Sequence, residues 1–137
     1  MVDTISPLKP IHLIVLALLS VFMNILSYAD TVIFTDQSHP VSNTGKHAII
    51  YLDTPSHIEA KLSEGLSNDP VEAKQQALQR IQDPNMQHQL MNAYIGLSKA
   101  WQLGVTKLPA VVVDEQYVVY GINDVNQAIQ LVKQYKE

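Results

Sequence analysis

The chain has 137 residues, of which 47% are hydrophobic and 16% charged, and its formal net charge at pH 7 is −4. This length and apolar content suit one folded domain and exclude a chain that is disordered throughout. Its 9 lysine and arginine residues are scattered, which argues against a nucleic-acid surface, because binding a phosphate backbone needs grouped cations. The absence of cysteine excludes disulfides, a thiolate nucleophile and cysteine-based metal sites.

Residues 1–29 have the pattern of a secretory signal peptide. Lys9 precedes an apolar run from Leu13 to Met23, and Ser27-Tyr28-Ala29 forms a small-x-small cleavage site. The run is short for a membrane span, which needs about 20 apolar residues. The sequence therefore predicts an exported domain of residues 30–137, released after Ala29 and free of the membrane. An uncleaved N-terminal anchor is the alternative.

Two apolar runs predict strands at the start of this domain. The continuous run within Thr31–Thr35 is typical of a strand that is covered on both faces, and His47–Leu52 is a second candidate for a buried strand. The residues between them have loop composition. Only about a dozen residues separate the two strands, which barely meets the minimum length of a helical crossover.

Three helices are predicted next, near residues 55–65, 70–82 and 84–103. Each begins at a proline suited to the first helical turn, and a capping residue precedes that proline, at Thr54-Pro55, Asp69-Pro70 and Asp83-Pro84. Gly104 is the expected stop of the third helix. Large apolar residues recur along one face of that helix, which predicts a core stripe in preference to the lining of a ligand cleft; they are Leu90, Tyr94, Leu97 and Trp101.

A hairpin and a closing helix complete the chain. The strands Ala110–Val113 and Tyr117–Tyr120 flank Asp114-Glu115-Gln116, so the two carboxylates are expected to be solvated turn residues. Tyr117 and Tyr120 should lie on opposite faces, with at least one exposed. Helices that separate the early strands from the hairpin predict a mixed α/β sheet. The last helix should be capped by Asn123 or Asp124 and bury Val125, Ala128, Ile129, Val132 and Tyr135.

Gly104–Val113, with the hairpin and helix that follow, resembles the second half of a thioredoxin fold. The resemblance implies that Pro109 is cis, that Leu108 presents backbone groups to a bound peptide, and that residues 70–103 are a helical insertion before the cis-proline strand. It also implies that the first helix of that fold is very short or replaced. Val32–Asp36 resembles the strand that precedes Cys-x-x-Cys in periplasmic disulfide isomerases, yet His39 and Ser42 stand where the cysteines would be. Thiol–disulfide exchange needs both thiols, so the resemblance implies the fold without the redox chemistry.

A wider resemblance covers nearly the whole mature chain. The segments Phe34–Val41, Tyr51–Asp53, Leu103–Asp114 and Tyr117–Gly121 together resemble a small family of integrating conjugative element proteins. This resemblance implies a periplasmic, thioredoxin-like component of a conjugative, type IV secretion-like transfer system. It implies no enzymatic activity and no cofactor, and it implies partners among the envelope proteins of the transfer apparatus. A periplasmic chaperone and an enzyme with non-thiol chemistry are the alternatives.

The predicted partner-binding residues are Gln37, Ser38, His39, Pro40, Leu108, Pro109 and Tyr120. His39 would contact a partner or donate a proton, or else Ser38-His39-Pro40 is simply a turn. Three histidines and two aspartates are candidate metal ligands, but their spacing lacks the close pairs that usually supply two ligands from one element, so no metal is expected. These five residues are His39, His47, His57, Asp36 and Asp53.

Overall fold

The computed structural model of the protein describes residues 30–137, so the predicted signal peptide lies outside the described residues. No helix in this part of the chain is long and apolar enough to cross a membrane. The elements in chain order are β1 (Thr31–Thr35), β2 (Ala48–Tyr51), α1 (Thr54–Ser63), α2 (Pro70–Ile81), α3 (Pro84–Gln102), β3 (Ala110–Val113), β4 (Tyr117–Tyr120) and α4 (Val125–Lys136).

The four strands form one mixed sheet in the order β2-β1-β3-β4, which confirms the predicted mixed α/β class. β1 pairs with β2 in parallel, and the pairs β1–β3 and β3–β4 are antiparallel. Every residue of β1 is buried, as its continuous apolar run predicts. The prediction that β2 is buried is wrong: β2 is an edge strand, and Ile49 and Tyr51 are 36% and 45% exposed because no strand lies beyond them.

The connection between β1 and β2 contains no helix, although the strands it joins are parallel. Instead, residues 36–47 run as turns and extended backbone. Ser42 forms a short bridge to the start of α4: its N–H donates to the Asn123 carbonyl at 2.8 Å, and its carbonyl accepts from the Val125 N–H at 3.1 Å. Val41 packs against the core beside α4. This extended segment therefore covers the face of the sheet that α4 also covers.

Each face of the sheet has its own hydrophobic cluster. On one face, Ile33 and Val111 pack against Val125, Ala128 and Val132 of α4. On the other face, the cluster of buried side chains includes Ala100 of α3; its strand residues are Val32, Phe34, Ala110 and Val112. The alternation of side chains along β1 and β3 puts odd-numbered residues on the α4 face and even-numbered residues on the α3 face.

α3 lies on its face of the sheet through small residues. Gly96 and Ala100 are its buried positions, whereas Tyr94, Leu97 and Trp101 are 43%, 40% and 83% exposed. The predicted core stripe of this helix is therefore wrong. The reason is steric, because a Cβ added at Gly96 would lie 2.7 Å from Cγ2 of Ile50 in β2. The helix approaches the sheet so closely that only small side chains fit between them.

Hydrogen bonds join α1 to the two helices that follow it. Arg80 of α2 donates to the Leu62 carbonyl at 2.8 Å and to the Glu64 carbonyl at 2.6 Å at the end of α1. The Tyr94 hydroxyl of α3 donates to the Glu59 carboxylate at 2.7 Å, and this contact raises the pKa of Tyr94. α2 itself has no buried residue, so polar contacts at its ends contribute to holding it in place.

The helix starts agree in part with the predicted caps. Asp69 accepts hydrogen bonds from the backbone N–H groups of Val71 and Glu72, and Asp83 accepts one from Asn85, as their positions before proline predict. The first helix differs, because it includes Thr54 and is preceded by Asp53, whose side chain makes no capping bond. That carboxylate has other partners, described below.

The hairpin and the last helix agree with most of the predictions. Asp114 and Glu115 form the tip with positive φ angles of 55° and 53°, and Asp124 caps α4. Tyr117 and Tyr120 lie on opposite faces, but the expectation that one is exposed is wrong, because both are half-buried. Tyr135, predicted in the buried stripe of α4, is 81% exposed.

Candidate partner-binding surface

One end of the sheet gathers the residues that were predicted to bind a partner. β1 and β2 end there, and β3 begins opposite the end of β1, because Phe34 pairs with Ala110. β4 ends there as well, since Ala110 pairs with Tyr120. The topology therefore places residues 37–40, Leu108, Pro109 and Tyr120 at the same end of the sheet, which we call the candidate surface.

The loop after β1 is shaped by Asp36. Its Oδ1 accepts hydrogen bonds from the backbone N–H groups of Ser38 and His39, both at 2.9 Å, and lies 2.7 Å from Nδ1 of His39. The Thr35 hydroxyl donates to the His39 carbonyl and closes the turn. Ser38-His39-Pro40 is thus a turn, as the second reading of this segment predicts. The imidazole of His39 remains 46% exposed beside Asp36.

Asp53 fastens this loop to the start of α1. Its Oδ2 accepts the backbone N–H of Gln37 at 3.0 Å and lies 3.1 Å from Nε2 of His57. The hydrogen bond from Gln37 is the main reason that the pKa of Asp53 lies below its usual value, and His57 lowers it further. The other carboxylate oxygen, Oδ1, is buried and has no hydrogen-bond partner among the described residues. Loop and helix are therefore joined through one ionised side chain.

The five candidate metal ligands do not form one cluster. Asp36 pairs with His39, and Asp53 pairs with His57, three and four residues along the chain respectively, so the expectation that these residues contain no close pair is wrong. Within residues 30–137, no group of three histidine or carboxylate side chains is placed to hold a metal ion. The two pairs act instead on the backbone of the loop, a role that sequence reasoning missed. An aspartate three or four residues before a histidine was the available signal.

Leu108 lies where the third strand begins. The Leu108–Pro109 peptide bond is cis, as the resemblance implies. The Leu108 side chain packs partly against the cluster on the α3 face. Its backbone N–H and C=O have no hydrogen-bond partner within residues 30–137. Pro109, by contrast, is buried, and its carbonyl accepts the Gly121 N–H at 3.0 Å. The backbone of Leu108 therefore has one donor and one acceptor without a partner in residues 30–137, whereas the carbonyl of the next residue, Pro109, is hydrogen-bonded.

Tyr120 holds the segment that leads from α3 to Leu108. Its hydroxyl donates to the Gly104 carbonyl at 3.2 Å and accepts the Thr106 N–H at 3.3 Å. Gly104 itself adopts a φ of +68° and follows the end of α3, as predicted. Of the predicted partner-binding residues, Tyr120 thus has an internal bonding role: it positions the backbone on which Leu108 lies.

A shallow groove opens next to the candidate surface. It has a volume of about 480 Å³ and runs between Gln37, the end of β2 and the first turns of α1. Asp53, His57 and Lys61 give its walls a polar character, and Tyr51 and Ile58 contribute apolar area. The groove extends the candidate surface from the Gln37 loop towards the edge of the sheet.

These residues belong to a single mixed α/β domain with a polar loop and a free backbone segment at one end of its sheet. A family model matches residues 28–137, and the chain belongs to that family, which is described as a protein of unknown function (DUF1525). No curated protein and no solved structure matches the chain significantly.

Proposed function

We propose that the protein is a non-catalytic, exported, thioredoxin-like component of a conjugative, type IV secretion-like transfer system of an integrating conjugative element. In this proposal it acts by binding an envelope protein of the transfer apparatus. The observation that carries the proposal is the unpartnered backbone of Leu108, which lies at the same end of the sheet as the loop of residues 37–40.

The thioredoxin-like part of the proposal is supported by the order and direction of the strands. A parallel pair, β1–β2, is followed along the chain by an antiparallel hairpin, β3–β4, and β1 and β3 are neighbours in the centre of the sheet. α4 and α3 cover opposite faces. The extended connection of residues 36–47 stands where the resemblance implies a replaced helix.

The recognition step follows from main-chain chemistry. An extended segment of a partner can pair with the N–H and C=O of Leu108, as in peptide recognition by strand addition. The exposed side chains of the neighbouring loop, at Gln37, Ser38 and His39, would then contact the partner's side chains. A single imidazole without a nucleophile has no evident reaction to catalyse, which favours binding over catalysis.

Photo-crosslinking in donor cells tests the proposal. A photoreactive amino acid is placed at Leu108 or at Gln37, and a matched control carries it at Lys133, an exposed position on α4. We expect one discrete adduct from the first two positions, formed only when the other transfer genes are present. Adducts to many exported proteins regardless of those genes would identify a chaperone instead. No adduct from either position would contradict binding at the candidate surface.

A pair of leucine variants separates binding from folding. Leu108→Asp should abolish the adduct formed from Gln37, because it places a charge where the partner strand pairs. Leu131→Asp makes the same chemical change at a leucine of α4 that is 42% exposed and should leave the adduct intact. Circular dichroism checks that both variants are folded. A folded Leu108→Asp protein with a normal adduct would refute the proposed site.

A further inference from the structure

The outer edge of β2 is an open strand edge. β2 pairs with β1 on one side only, and no other segment within residues 30–137 pairs with its outer side. The Leu52 N–H donates to the Thr35 carbonyl at 2.8 Å, so Leu52 points its backbone towards β1. Because backbone groups alternate in direction along a strand, Ile49 and Tyr51 direct their N–H and C=O groups outward. These groups are available for another strand.

A groove of about 480 Å³ accompanies this edge where β2 faces α3. Its apolar walls come from Ile49, Ile50 and Tyr51 of β2, Ile58 of α1, and Ala93 and Ile95 of α3. No lining residue is charged, and Ile95 is 59% exposed. A side chain that enters this groove must therefore be uncharged, because a desolvated charge would have no opposite charge to meet.

We infer that this edge binds an extended, uncharged segment of another protein, with apolar side chains at alternate positions, as a fifth strand beside β2. Strand addition of this kind takes its affinity from main-chain hydrogen bonds and its specificity from pockets for alternate side chains. The open edge supplies the hydrogen bonds, and the groove beside α3 supplies the pocket. The surface does not include Leu108, so this inference and the proposed function can fail separately.

A second copy of the chain fits this edge less well than an extended segment does. A stable dimer buries about 800 Å² on each partner. Four residues of β2 span only about 13 Å of strand, which is too short to bury that area by edge pairing alone. The groove beside the strand has a volume of about 480 Å³, which can receive side chains of one extended chain.

The opposite edge of the sheet does not compete for the same kind of ligand. All four residues of β4 are half-buried. At its start, the ammonium of Lys136 lies 4.6 Å from the centre of the Tyr117 ring, and the Tyr135 ring packs edge-on against Tyr117. A cation at a strand edge opposes the docking of further strands. β2 has no such charge within its four residues, Ala48–Tyr51.

The test uses the isotope-labelled full chain and a hexapeptide of alternating valine and threonine. Every second amide of the peptide is N-methylated, so only one edge of the extended peptide can form hydrogen bonds with β2. The blocked edge prevents the peptide from assembling into a sheet with other copies of itself. We expect chemical-shift changes at the amides of Ile49 and Tyr51 that saturate with peptide concentration. A control peptide with all amides methylated should cause no such change. Equal changes with both peptides would overturn the inference, because hydrogen bonding would not be the cause.

Two variants at one position sharpen the result. Ile49→Pro removes the outward N–H and should weaken binding at least tenfold, whereas Ile49→Thr keeps the N–H and should weaken it less than threefold. Similar affinities for the two variants would overturn strand pairing. If Ile49→Pro fails to fold, the fully methylated control peptide tests whether binding needs hydrogen bonds.

Shift changes confined to Leu108 and Gln37 would overturn this inference and leave the proposed function standing. Concentration-dependent shifts at Ile49 without peptide would assign the edge to a second copy instead.

Discussion

The two long helices that cover the sheet do so in different ways. α4 packs against one face with branched and small side chains, at Val125, Ala128 and Val132, and its apolar stripe lies mostly where the sequence places it. α3 packs against the other face with Gly96 and Ala100, and its largest apolar side chain, Trp101, is 83% exposed. Apolar periodicity therefore identifies the inner face of α4 and misidentifies that of α3.

The difference shows that close backbone approach can compete with side-chain burial. A glycine and an alanine one turn apart let α3 approach β2 and contact Ile50, and dispersion contacts replace those that larger side chains would make. As a consequence, large apolar residues of α3 are exposed. A contiguous exposed apolar patch usually marks an interaction site, and one exposed residue of α3, Ile95, lines the groove beside β2.

The largest effect is expected from filling the contact between α3 and β2. Gly96→Val should lower the free energy of unfolding by about 3 kcal/mol, because the new Cβ would lie 2.7 Å from Cγ2 of Ile50 and one of the two elements must shift to receive it. Urea unfolding measures the loss. Ser98→Val, at an exposed position of the same helix, is the control for propensity and should change stability by less than about 0.5 kcal/mol. Equal effects would show that α3 does not depend on close approach.

A somewhat smaller loss is expected on the α4 face. Val132→Ala removes two buried methyl groups from the cluster that joins α4 to the sheet, and it should cost about 2 kcal/mol. The same urea titration applies, with Gln130→Ala on the exposed side of α4 as its control. A loss below about 0.5 kcal/mol for Val132→Ala would mean that α4 is not anchored by this stripe.

α1 extends the comparison to a helix that begins without a side-chain cap. Asp53 binds the Gln37 N–H and His57 instead, so Asp53→Asn should destabilise the fold by about 1 kcal/mol at neutral pH. The pKa of Asp53 is lowered in the folded state, so its contribution is complete above the unfolded value of 3.8 and is lost as the pH falls through the folded pKa. The gap between wild type and Asp53→Asn should therefore close in acid.

Thermal unfolding at a series of pH values measures that gap. Glu64→Gln, which replaces an exposed carboxylate at the end of α1, is the control for the loss of one surface charge. A gap between wild type and Asp53→Asn that widens as the pH falls would contradict the assigned role of Asp53.

The smallest effect belongs to the largest side chain of α3. Trp101→Ala should change the free energy of unfolding by less than about 0.5 kcal/mol, because most of the indole is exposed. The intrinsic fluorescence of the wild type, whose only tryptophan is Trp101, should already have the red-shifted maximum of an indole in water. A blue-shifted maximum in the free protein would show that Trp101 is buried. It would contradict the conclusion that α3 packs on the sheet through small residues alone.

Local patterns in the sequence are enough to predict three of the strands. The bounds of β1, β3 and β4 are as predicted, because each is an apolar run between turn residues. The exposure of β2 could not be predicted from its own residues, since its apolar run resembles that of the buried strand β1 and only the strand order places β2 at the edge of the sheet. The inner face of α3 depends likewise on how near Ile50 lies to Gly96.

The candidate surface was predictable to a similar extent. The grouping of Leu108 with the loop of residues 37–40 came from a resemblance, and the register of β1 and β3 places them at one end of the sheet. The contact between Asp53 and Gln37 was missed, because it joins residues 16 positions apart through a loop whose path no local pattern defines. Side chains that bind distant backbone amides are recognised only when the fold is known.

Asp114 lies at one end of the sheet and contacts residues at both ends of the described chain. Its N–H donates to the carbonyl of Asp30, the first described residue, at 2.8 Å, and its carboxylate pairs with Lys136 near the last one. Both ends of the described chain thus lie beside the hairpin tip, at the pole of the sheet opposite Leu108. If the protein were immobilised on a sensor through its C-terminus, the candidate surface would face the solution, away from the support. In a single-molecule experiment, a force applied between the two ends would load the hairpin tip before it reached that surface.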